Sequence, residues 1–272
     1  MDHVIFTEVI AAVAGLGIGI LGTLIGAGGG FLIVPLLVLI EPSWNTDQIT
    51  AFSLAVVTAN ASMGATSYWW QGRVDPFTFP LYTLAAVPGS IIGAYASTYI
   101  PRPVFDPLFG VVLMLIGVWL FVKPGSSEAG SHTGYFERSL TDRSGHRYEW
   151  SFDPRIGFGG SILVGFASSV LGIGGGIIHV PLLATVLGFP AHVATATSHA
   201  VLAVTAGIAT IVHIVHGDFR TTWPLVLAAS GGAVAGAPIG AALSRYVRGA
   251  IILRILATAL AFVGLRLLIS AL

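Results

Sequence analysis

Long apolar stretches separated by short polar turns occupy most of the chain. In its first half they cover residues 4–25, 49–70, 77–100 and 104–122. Each stretch is long enough to cross the roughly 30 Å hydrocarbon core of a bilayer as a helix. A shorter apolar piece, residues 31–40, would form a helix of about 15 Å, half of that thickness. The pattern predicts an all-α integral membrane protein.

Two glycine clusters interrupt this apolar pattern. Residues 26–30 read GAGGG and residues 172–176 read GIGGG, so each has four glycines in five positions. A glycine inside a helix costs about 1 kcal/mol relative to alanine, and we expect the helix to break at both clusters. Within a bilayer, a broken backbone is tolerated only where protein or a watery cavity satisfies its N–H and C=O groups. Both breaks are therefore candidate binding sites.

The second half of the chain repeats the first. Matched pairs include Gly28 with Gly174, Ser53 with Ser198, and Gly72 with Gly217. We divide the chain into a first transmembrane repeat (residues 1–122), a polar connector (residues 123–155) and a second transmembrane repeat (residues 156–272). Each repeat holds about four transmembrane helices if its glycine-rich piece re-enters the membrane, and about five if that piece crosses. The count, and with it the inversion of the repeats, stays open; in either case we expect the broken helices to meet near the membrane midplane.

Composition agrees with a membrane protein and excludes several kinds of site. Of 272 residues, 55% are hydrophobic and 9% are charged, against roughly 25% charged in soluble domains. The chain contains no cysteine, which excludes disulfides, thiolate metal sites and iron–sulfur clusters. Its net charge is zero and it has no basic cluster, so we expect the lipid bilayer as a partner and no nucleic acid. We predict neither a cofactor nor a bound metal.

The connector at residues 123–155 is the most charged part of the chain. It carries five basic residues, whereas the loop at residues 41–47 has none. Because cytoplasmic loops are enriched in Lys and Arg, we expect the connector in the cytoplasm. Its pieces YFER (135–138) and RYEW (147–150) are expected to form a short amphipathic element on the surface.

The glycine clusters belong to a longer set of paired features. These are the GxGGG-x3-VPLL motifs at residues 26–37 and 172–183, the A-x-S segments at residues 51–53 and 196–198, and the turns at Gly72 and Gly217. The set resembles the sulfite exporter TauE/SafE family over nearly all of the chain outside the connector. The resemblance implies a multi-pass permease of the inner membrane that moves a small sulfur-containing anion. Sulfite, sulfoacetate and other organosulfonates are the implied substrates. Because members of the family move their substrates in either direction, the resemblance leaves the direction open, and we predict export by alternating access.

An anion inside a membrane needs a positive potential. No Lys or Arg occupies an obvious span centre, since even Arg254 and Arg266 lie within about two turns of an end of the last span. Backbone N–H groups at the glycine breaks, with the positive end of the following helix, can bind an anion without a formal charge. The predicted substrate-binding residues are Gly28, Gly29, Gly30, Gly174, Gly175, Gly176, Ser53, Thr58, Asn60, Thr197, Ser198 and Thr205.

Two histidines are candidates for proton coupling. No Asp or Glu lies deep in a span, so a buried carboxylate relay is not expected. His179 follows the second glycine cluster, where the first repeat has Ile33. His199 follows Ser198, where the first repeat has Leu54. A histidine beside an anion can carry a proton with it or donate a hydrogen bond to it; a neutral histidine bonded to a nearby carbonyl is the alternative.

Two other functions stay open from the same residues. An anion channel could use the glycine breaks as a filter. A membrane enzyme could use His179, His199 and Ser198 as acid, base and nucleophile. Adjacent side chains on a helix do not face each other, however, which argues against Ser198 and His199 acting together. We therefore predict a transporter without catalytic residues, and a homodimer is one assembly that the sequence allows.

Overall fold

The computed structural model describes residues 2–122, 136–220 and 222–270. The first part of the predicted connector, residues 123–135, lies outside the described residues. The first half of the chain folds into α1 (Asp2–Ile25), α2 (Gly30–Ile40), α3 (Thr46–Gln71), α4 (Thr78–Ser97) and α5 (Arg102–Val122). These helices coincide with the apolar stretches of the sequence, and α2 is the half-length piece that follows the first glycine cluster.

The second half has the same order of long and short helices. It folds into α6 (Pro154–Val170), α7 (Gly176–Pro181), α8 (Ala191–His216), α9 (Trp223–Ser244) and α10 (Gly249–Ser270). A π-helical turn, Leu182–Val186, continues α7 directly. Both short helices begin at the last glycine of a cluster. This common order is what a duplicated architecture would produce.

Seven of the described helices have the length and apolar composition to cross a membrane, namely α1, α3, α4, α5, α8, α9 and α10. Helix α6 is shorter, with 17 residues. Large apolar side chains such as Leu84, Leu163 and Phe262 point outward from the helices and are exposed. Hydrocarbon, unlike water, accepts such a surface without cost. The outer faces of the helices therefore suit a lipid environment.

Helices of the two halves pack against each other. Helix α1 packs along α9, α4 along α6, α5 along α10, and α3 along α8. Glycines let some of these backbones approach closely: a β-carbon on Gly19 would lie 2.8 Å from the Ala233 Cα, and one on Gly165 would lie 3.0 Å from the Ala86 Cα. Small residues at helix contacts are typical of membrane proteins, where close backbone approach replaces the hydrophobic effect.

The described part of the connector forms a β-hairpin that the sequence analysis did not predict. Strand β1 (Phe136–Thr141) pairs antiparallel with β2 (Arg147–Phe152). Trp150 and Phe152 are buried, and their ring centroids lie 5.0 and 4.9 Å from that of Phe189. The expected amphipathic element is thus a pair of strands whose side chains alternate with a period of two.

Two ion pairs connect the hairpin to the turn between α3 and α4. The Arg138 guanidinium lies 2.6 Å from a carboxylate oxygen of the buried Asp75. The Arg73 Nε lies 3.6 Å from the Asp142 carboxylate. The backbone N–H of Asp75 in turn donates to the Thr197 hydroxyl at 3.0 Å. The hairpin is thereby joined, through this turn, to helix α8.

Candidate functional site

Each glycine cluster separates two helices by a loop whose backbone favours glycine. We call residues 26–29 the first break and residues 171–175 the second break. The glycines with left-handed φ values are Gly26 (81°), Gly28 (73°), Gly29 (88°), Gly172 (69°), Gly174 (75°) and Gly175 (90°). A side chain in this region costs roughly 1–2 kcal/mol per residue. The glycines therefore determine the path of both loops.

The two breaks lie against each other. A β-carbon placed on Gly30 would lie 2.7 Å from the Ile173 Cα. A β-carbon placed on Gly176 would lie 2.6 Å from the Ala27 Cα. Each short helix therefore begins against the loop of the opposite break, and no space for a side chain remains between them.

Helices α3 and α8 enclose the contact between the breaks. A β-carbon on Gly174 would lie 2.6 Å from side-chain atoms of both Val57 and Leu202. One on Gly28 would lie 3.0 Å from Val57 and would also touch Leu202. Because Val57 and Leu202 lie in the middle of α3 and α8, both breaks lie between the central parts of these two helices.

Two amide groups at the second break lack a hydrogen-bond acceptor among the described residues. The N–H groups of Ile173 and Gly174 donate back to the Ser168 carbonyl at 3.0 and 3.4 Å. The N–H groups of Gly175 and Gly176 have no backbone or capping acceptor in the part of the chain that the structure describes. They lie at the start of α7, where unpaired N–H groups and the helix dipole produce a positive potential. The first break has the same pattern.

A small cavity adjoins the second break and contacts α4, α6 and α8. Its volume is about 10 Å³, enough for roughly one water molecule. Its polar lining consists of Ser168, Gly174, Gly175, His179, Ser198 and Thr205. All of these except Ser168 are among the residues that the sequence analysis singled out. We refer to this space as the second-break cavity.

Ser198 has an available hydrogen-bond donor in this cavity. Its hydroxyl is buried and has no hydrogen-bond partner among the described residues. The Thr205 hydroxyl, by contrast, donates to the Val201 carbonyl at 3.1 Å. Leaving a buried hydroxyl unpaired costs about 1–3 kcal/mol, so such a group calls for a partner, either a water molecule or a ligand. Ser198 can donate to a hydrogen-bond acceptor without giving up another bond.

His179 forms part of the cavity wall from helix α7. Its Nε2 lies 3.2 Å from the Ser161 hydroxyl oxygen. That hydroxyl donates its proton to the Gly157 carbonyl at 2.7 Å. Because Ser161 has only one proton to donate, the Nε2 of His179 must be the donor in this pair. In a neutral His179, Nδ1 is then the nitrogen that can accept a proton.

The sequence also matches a known family over nearly its whole length. The model of the sulfite exporter TauE/SafE family matches residues 11–267. This chain belongs to the TauE/SafE family. The resemblance inferred from the paired glycine motifs is therefore confirmed. Together with the seven described helices that can cross a membrane, membership shows that this TauE/SafE protein is a multi-pass membrane protein.

Relatives of this TauE/SafE protein are named as membrane transporters. The probable membrane transporter protein YunE of Bacillus subtilis (strain 168) is 31% identical over 267 residues, which cover 96% of this chain and 97% of the relative. A probable membrane transporter protein of Methanocaldococcus jannaschii is 28% identical over 204 residues, covering 71% of this chain and 67% of the relative. No solved structure gives a significant match.

The first break of the TauE/SafE protein contacts a different polar cluster. Asn60 donates to the Gly28 carbonyl at 3.1 Å and accepts from the Thr23 hydroxyl at 2.9 Å. The Nε2 of His199 lies 3.4 Å from the same hydroxyl. Tyr68 donates to the Thr23 carbonyl at 2.6 Å. Asn60 and His199 therefore support the end of α1 and the first break, and neither lines the second-break cavity.

The remaining predicted residues also lie outside this cavity. Thr58 and Thr210 have their hydroxyl oxygens 3.0 Å apart between α3 and α8. Thr197 accepts the backbone hydrogen bond from Asp75, at the hairpin end of α8. The Ser53 hydroxyl is buried and has no hydrogen-bond partner among the described residues. Gly28, Gly29 and Gly30 form the first break and the start of α2, and Gly176 begins α7.

Two serines at this site were not predicted from the sequence. Ser168 lines the cavity, and Ser161 contacts His179. At the matched positions of the first repeat, the chain has Gly22 and Gly15. A search for positions where the two halves differ in polarity would have found both serines, because it is the same signal that singled out His179.

Proposed function

We propose that this protein exports a small sulfur-containing anion, such as sulfite, sulfoacetate or another organosulfonate, across the inner membrane. One observation carries the proposal: the unpaired, buried Ser198 hydroxyl lines the same cavity as the glycines of the second break. The family to which the chain belongs is described as sulfite exporters. That description supports both the chemical class of the substrate and the direction.

The donors at the second break suit an anion. The N–H group of Gly175, which lines the cavity, needs an acceptor, and the Ser198 hydroxyl adds a second donor. Among the described residues that line the cavity there is no Asp or Glu, so no carboxylate would repel a negative charge. Donors of this kind at a helix start bind the oxygens of phosphate and sulfate groups without a formal positive charge.

Transport by alternating access is consistent with the size of the cavity. A volume of about 10 Å³ holds roughly one water molecule, whereas sulfite has three oxygens around its sulfur. Binding therefore requires α4, α6 and α8 to separate around the second break. We propose that the hairpin lies on the cytoplasmic side and that these helices separate first toward that side and then toward the other.

We assign proton coupling to His179. Its Nε2 is committed to Ser161, which leaves Nδ1 as the position that gains a proton. A protonated His179 would add a positive charge next to the anion and would favour its binding. His199 lies against Thr23 and Asn60 instead, so we propose that it supports the first break.

The arrangement favours transport over catalysis. An activated serine nucleophile needs a hydrogen bond to its base. The Ser198 hydroxyl makes no hydrogen bond within the described residues, neither to His179 nor to His199. The absence of a hydrogen bond from Ser198 to a histidine among the described residues argues against a serine hydrolase and leaves the transporter as the better account of the site.

Flux in proteoliposomes tests the proposal. We expect radiolabelled sulfite or sulfoacetate to move with saturable kinetics. Ser198→Ala should lower the apparent affinity by about tenfold, the equivalent of one hydrogen bond to a charged group. Ser67→Ala is a matched control, because the exposed Ser67 hydroxyl bonds only to the Met63 carbonyl of its own helix.

Each result of the flux measurement decides one part of the account. Flux that rises linearly with concentration would indicate a channel. Absence of flux for every sulfur-containing anion would contradict the substrate class. Equal affinity in Ser198→Ala and Ser67→Ala would show that the anion does not bind in the second-break cavity.

A further inference from the structure

A second and larger cavity opens between the hairpin turn and the end of α9. Its volume is about 590 Å³. It is lined chiefly by Trp70, Arg73, Asp142, Arg143, Arg245 and Tyr246. None of its described lining residues belongs to the second-break cavity. We call it the arginine pocket.

The arginine pocket is positively charged, although the chain as a whole has no net charge. Three guanidinium groups and one carboxylate, that of Asp142, face the space, which leaves a balance of two positive charges. The carboxylate is already engaged by other donors. One of its oxygens accepts from the N–H and hydroxyl of Ser144, at 2.9 and 2.6 Å, and from the N–H of His146 at 3.0 Å.

Arg73 is the buried cation of this pocket and has too few acceptors. Only 6% of the residue is exposed. Its Nε has no hydrogen-bond partner among the described residues, and the Asp142 carboxylate stays 3.6 Å away. One further nitrogen makes a long bond of 3.4 Å to the Ser244 hydroxyl. A guanidinium has five N–H donors, so this buried group still lacks acceptors.

The other two arginines are held in place by aromatic rings at the mouth of the pocket. The guanidinium carbon of Arg143 lies 5.4 Å from the Trp70 ring centroid. That of Arg245 lies 4.7 Å from the Tyr246 ring centroid, and Arg245 also donates to the Tyr246 hydroxyl at 2.7 Å. Stacking on a ring orders a guanidinium and leaves N–H groups at its edge for other acceptors.

We propose that the arginine pocket binds an oxyanion, such as a phosphate, sulfate or sulfonate group. Paired N–H groups of arginine match the oxygens of such groups in geometry and charge. The oxyanion comes either from a free ion in the aqueous phase or from a lipid headgroup. The second source is relevant because Trp70 and Tyr246, 65% and 74% exposed, lie at or just beyond the ends of helices that can cross a membrane. The proposal does not depend on the transported substrate.

The test compares a double variant of the pocket with a control variant on the hairpin. In Arg143→Gln/Arg245→Gln the exposed arginines of the pocket lose their charge. Arg147→Gln is the matched control, because Arg147 lies on the same hairpin but pairs with Glu149 at 2.7 Å outside the pocket. Wild type and both variants are placed in nanodiscs of zwitterionic lipid, and inorganic phosphate is titrated by calorimetry. In a second arm, native mass spectrometry counts the phosphatidylglycerol retained from mixed nanodiscs.

We expect one of two positive results. If the ligand is a free ion, wild type and Arg147→Gln bind phosphate, and the double variant binds at least tenfold more weakly. If it is a headgroup, phosphate does not bind, and the double variant retains less phosphatidylglycerol than Arg147→Gln does. Equal behaviour of the double variant and Arg147→Gln in both arms would overturn the proposal. The single variant Arg245→Gln replaces the double variant if the latter does not fold.

Discussion

Gly176 lies against Ala27, so the start of one short helix touches the loop that precedes the other. A β-carbon on Gly176 would lie 2.6 Å from the Ala27 Cα. We predict that Gly176→Ala destabilises the protein by about 1–3 kcal/mol, because neither backbone can move away without disturbing its own break. Thermal unfolding of the purified protein measures the loss.

The control for this substitution is Gly159→Ala in helix α6. A β-carbon on Gly159 would have no heavy atom within 4 Å, and alanine favours a helix by up to about 1 kcal/mol over glycine. Its melting temperature should stay the same or rise. If Gly176→Ala melts at the same temperature as Gly159→Ala, the two breaks are not packed against each other as described.

The conformation of Gly175 leads to a second prediction. Gly175 has a φ of 90°, and a β-carbon on it would lie 3.0 Å from the Ser168 hydroxyl in the second-break cavity. Gly145, in the hairpin turn, has a φ of 87° and open space around it. Both Gly→Ala substitutions should cost about 1–2 kcal/mol of stability through backbone strain. Only Gly175→Ala should also lose anion binding, as measured by calorimetry.

This pair separates a role in binding from a role in the loop alone. Equal anion affinity in Gly175→Ala and Gly145→Ala, with equal losses of stability, would mean that Gly175 serves only the path of the chain. Loss of binding in both variants would indicate a general effect of destabilisation.

The helices and breaks could be predicted from the sequence because both depend on local composition. Long apolar stretches have no favourable structure in a membrane other than a helix, and four glycines in five positions end one. The side chains that face the cavity, by contrast, could not be predicted from local composition. Thr197 and Ser198 are neighbours on α8 and project about 100° apart. Ser198 lines the cavity, while Thr197 accepts a hydrogen bond from the Asp75 turn.

The strands of the hairpin could not be predicted from the sequence, for a different reason. Alternation of exposed Glu149 with buried Trp150 is a strand pattern, but it covers only a few residues. What makes Trp150 a buried residue is its contact with Phe189, which is distant in sequence. Short strands depend on such tertiary contacts more than helices do, so the connector could be assigned a surface position but no secondary structure.

His179 should affect the pH dependence of transport. The proposed role places a proton on His179 Nδ1 when the anion binds, so His179→Gln should remove one titrating group from the pH profile of flux, measured between pH 4 and 8. His199→Gln should leave the profile unchanged and lower the melting temperature, since His199 contacts Thr23. Flux measured in proteoliposomes across this pH range checks both. A profile altered by His199→Gln alone would move the coupling role to the first break.

The hairpin should make stability depend on pH through Asp142. Burial raises the pKa of this carboxyl group, but hydrogen bonds from Ser144 and His146 and the charge of Arg73 outweigh burial and lower the pKa below its usual value. A carboxyl with a lowered pKa in the folded state stabilises the fold above about pH 4, and this stabilisation is lost as the pH falls through the folded pKa. Asp142→Asn should thus have a lower melting temperature than wild type at pH 7. In acid, the two proteins should melt at similar temperatures.

The control for Asp142 is Glu149→Gln on the same hairpin. Glu149 forms an exposed ion pair with Arg147, and such pairs contribute little to stability. We expect the melting temperature to fall steeply between pH 7 and pH 3 in wild type and Glu149→Gln, and to fall less in Asp142→Asn. The same dependence of melting temperature on pH in all three proteins would contradict the role of Asp142.

The most direct test of the account is a thermal-shift measurement with sulfite, sulfoacetate, taurine, sulfate and formate, on wild type and Ser198→Ala. A ligand that binds the native state raises its melting temperature. The account predicts a rise with sulfite or a sulfonate in wild type and a clearly smaller one in Ser198→Ala. No rise with any sulfur-containing anion, together with a clear rise for a cation or a neutral solute, would contradict an anion site at the glycine breaks.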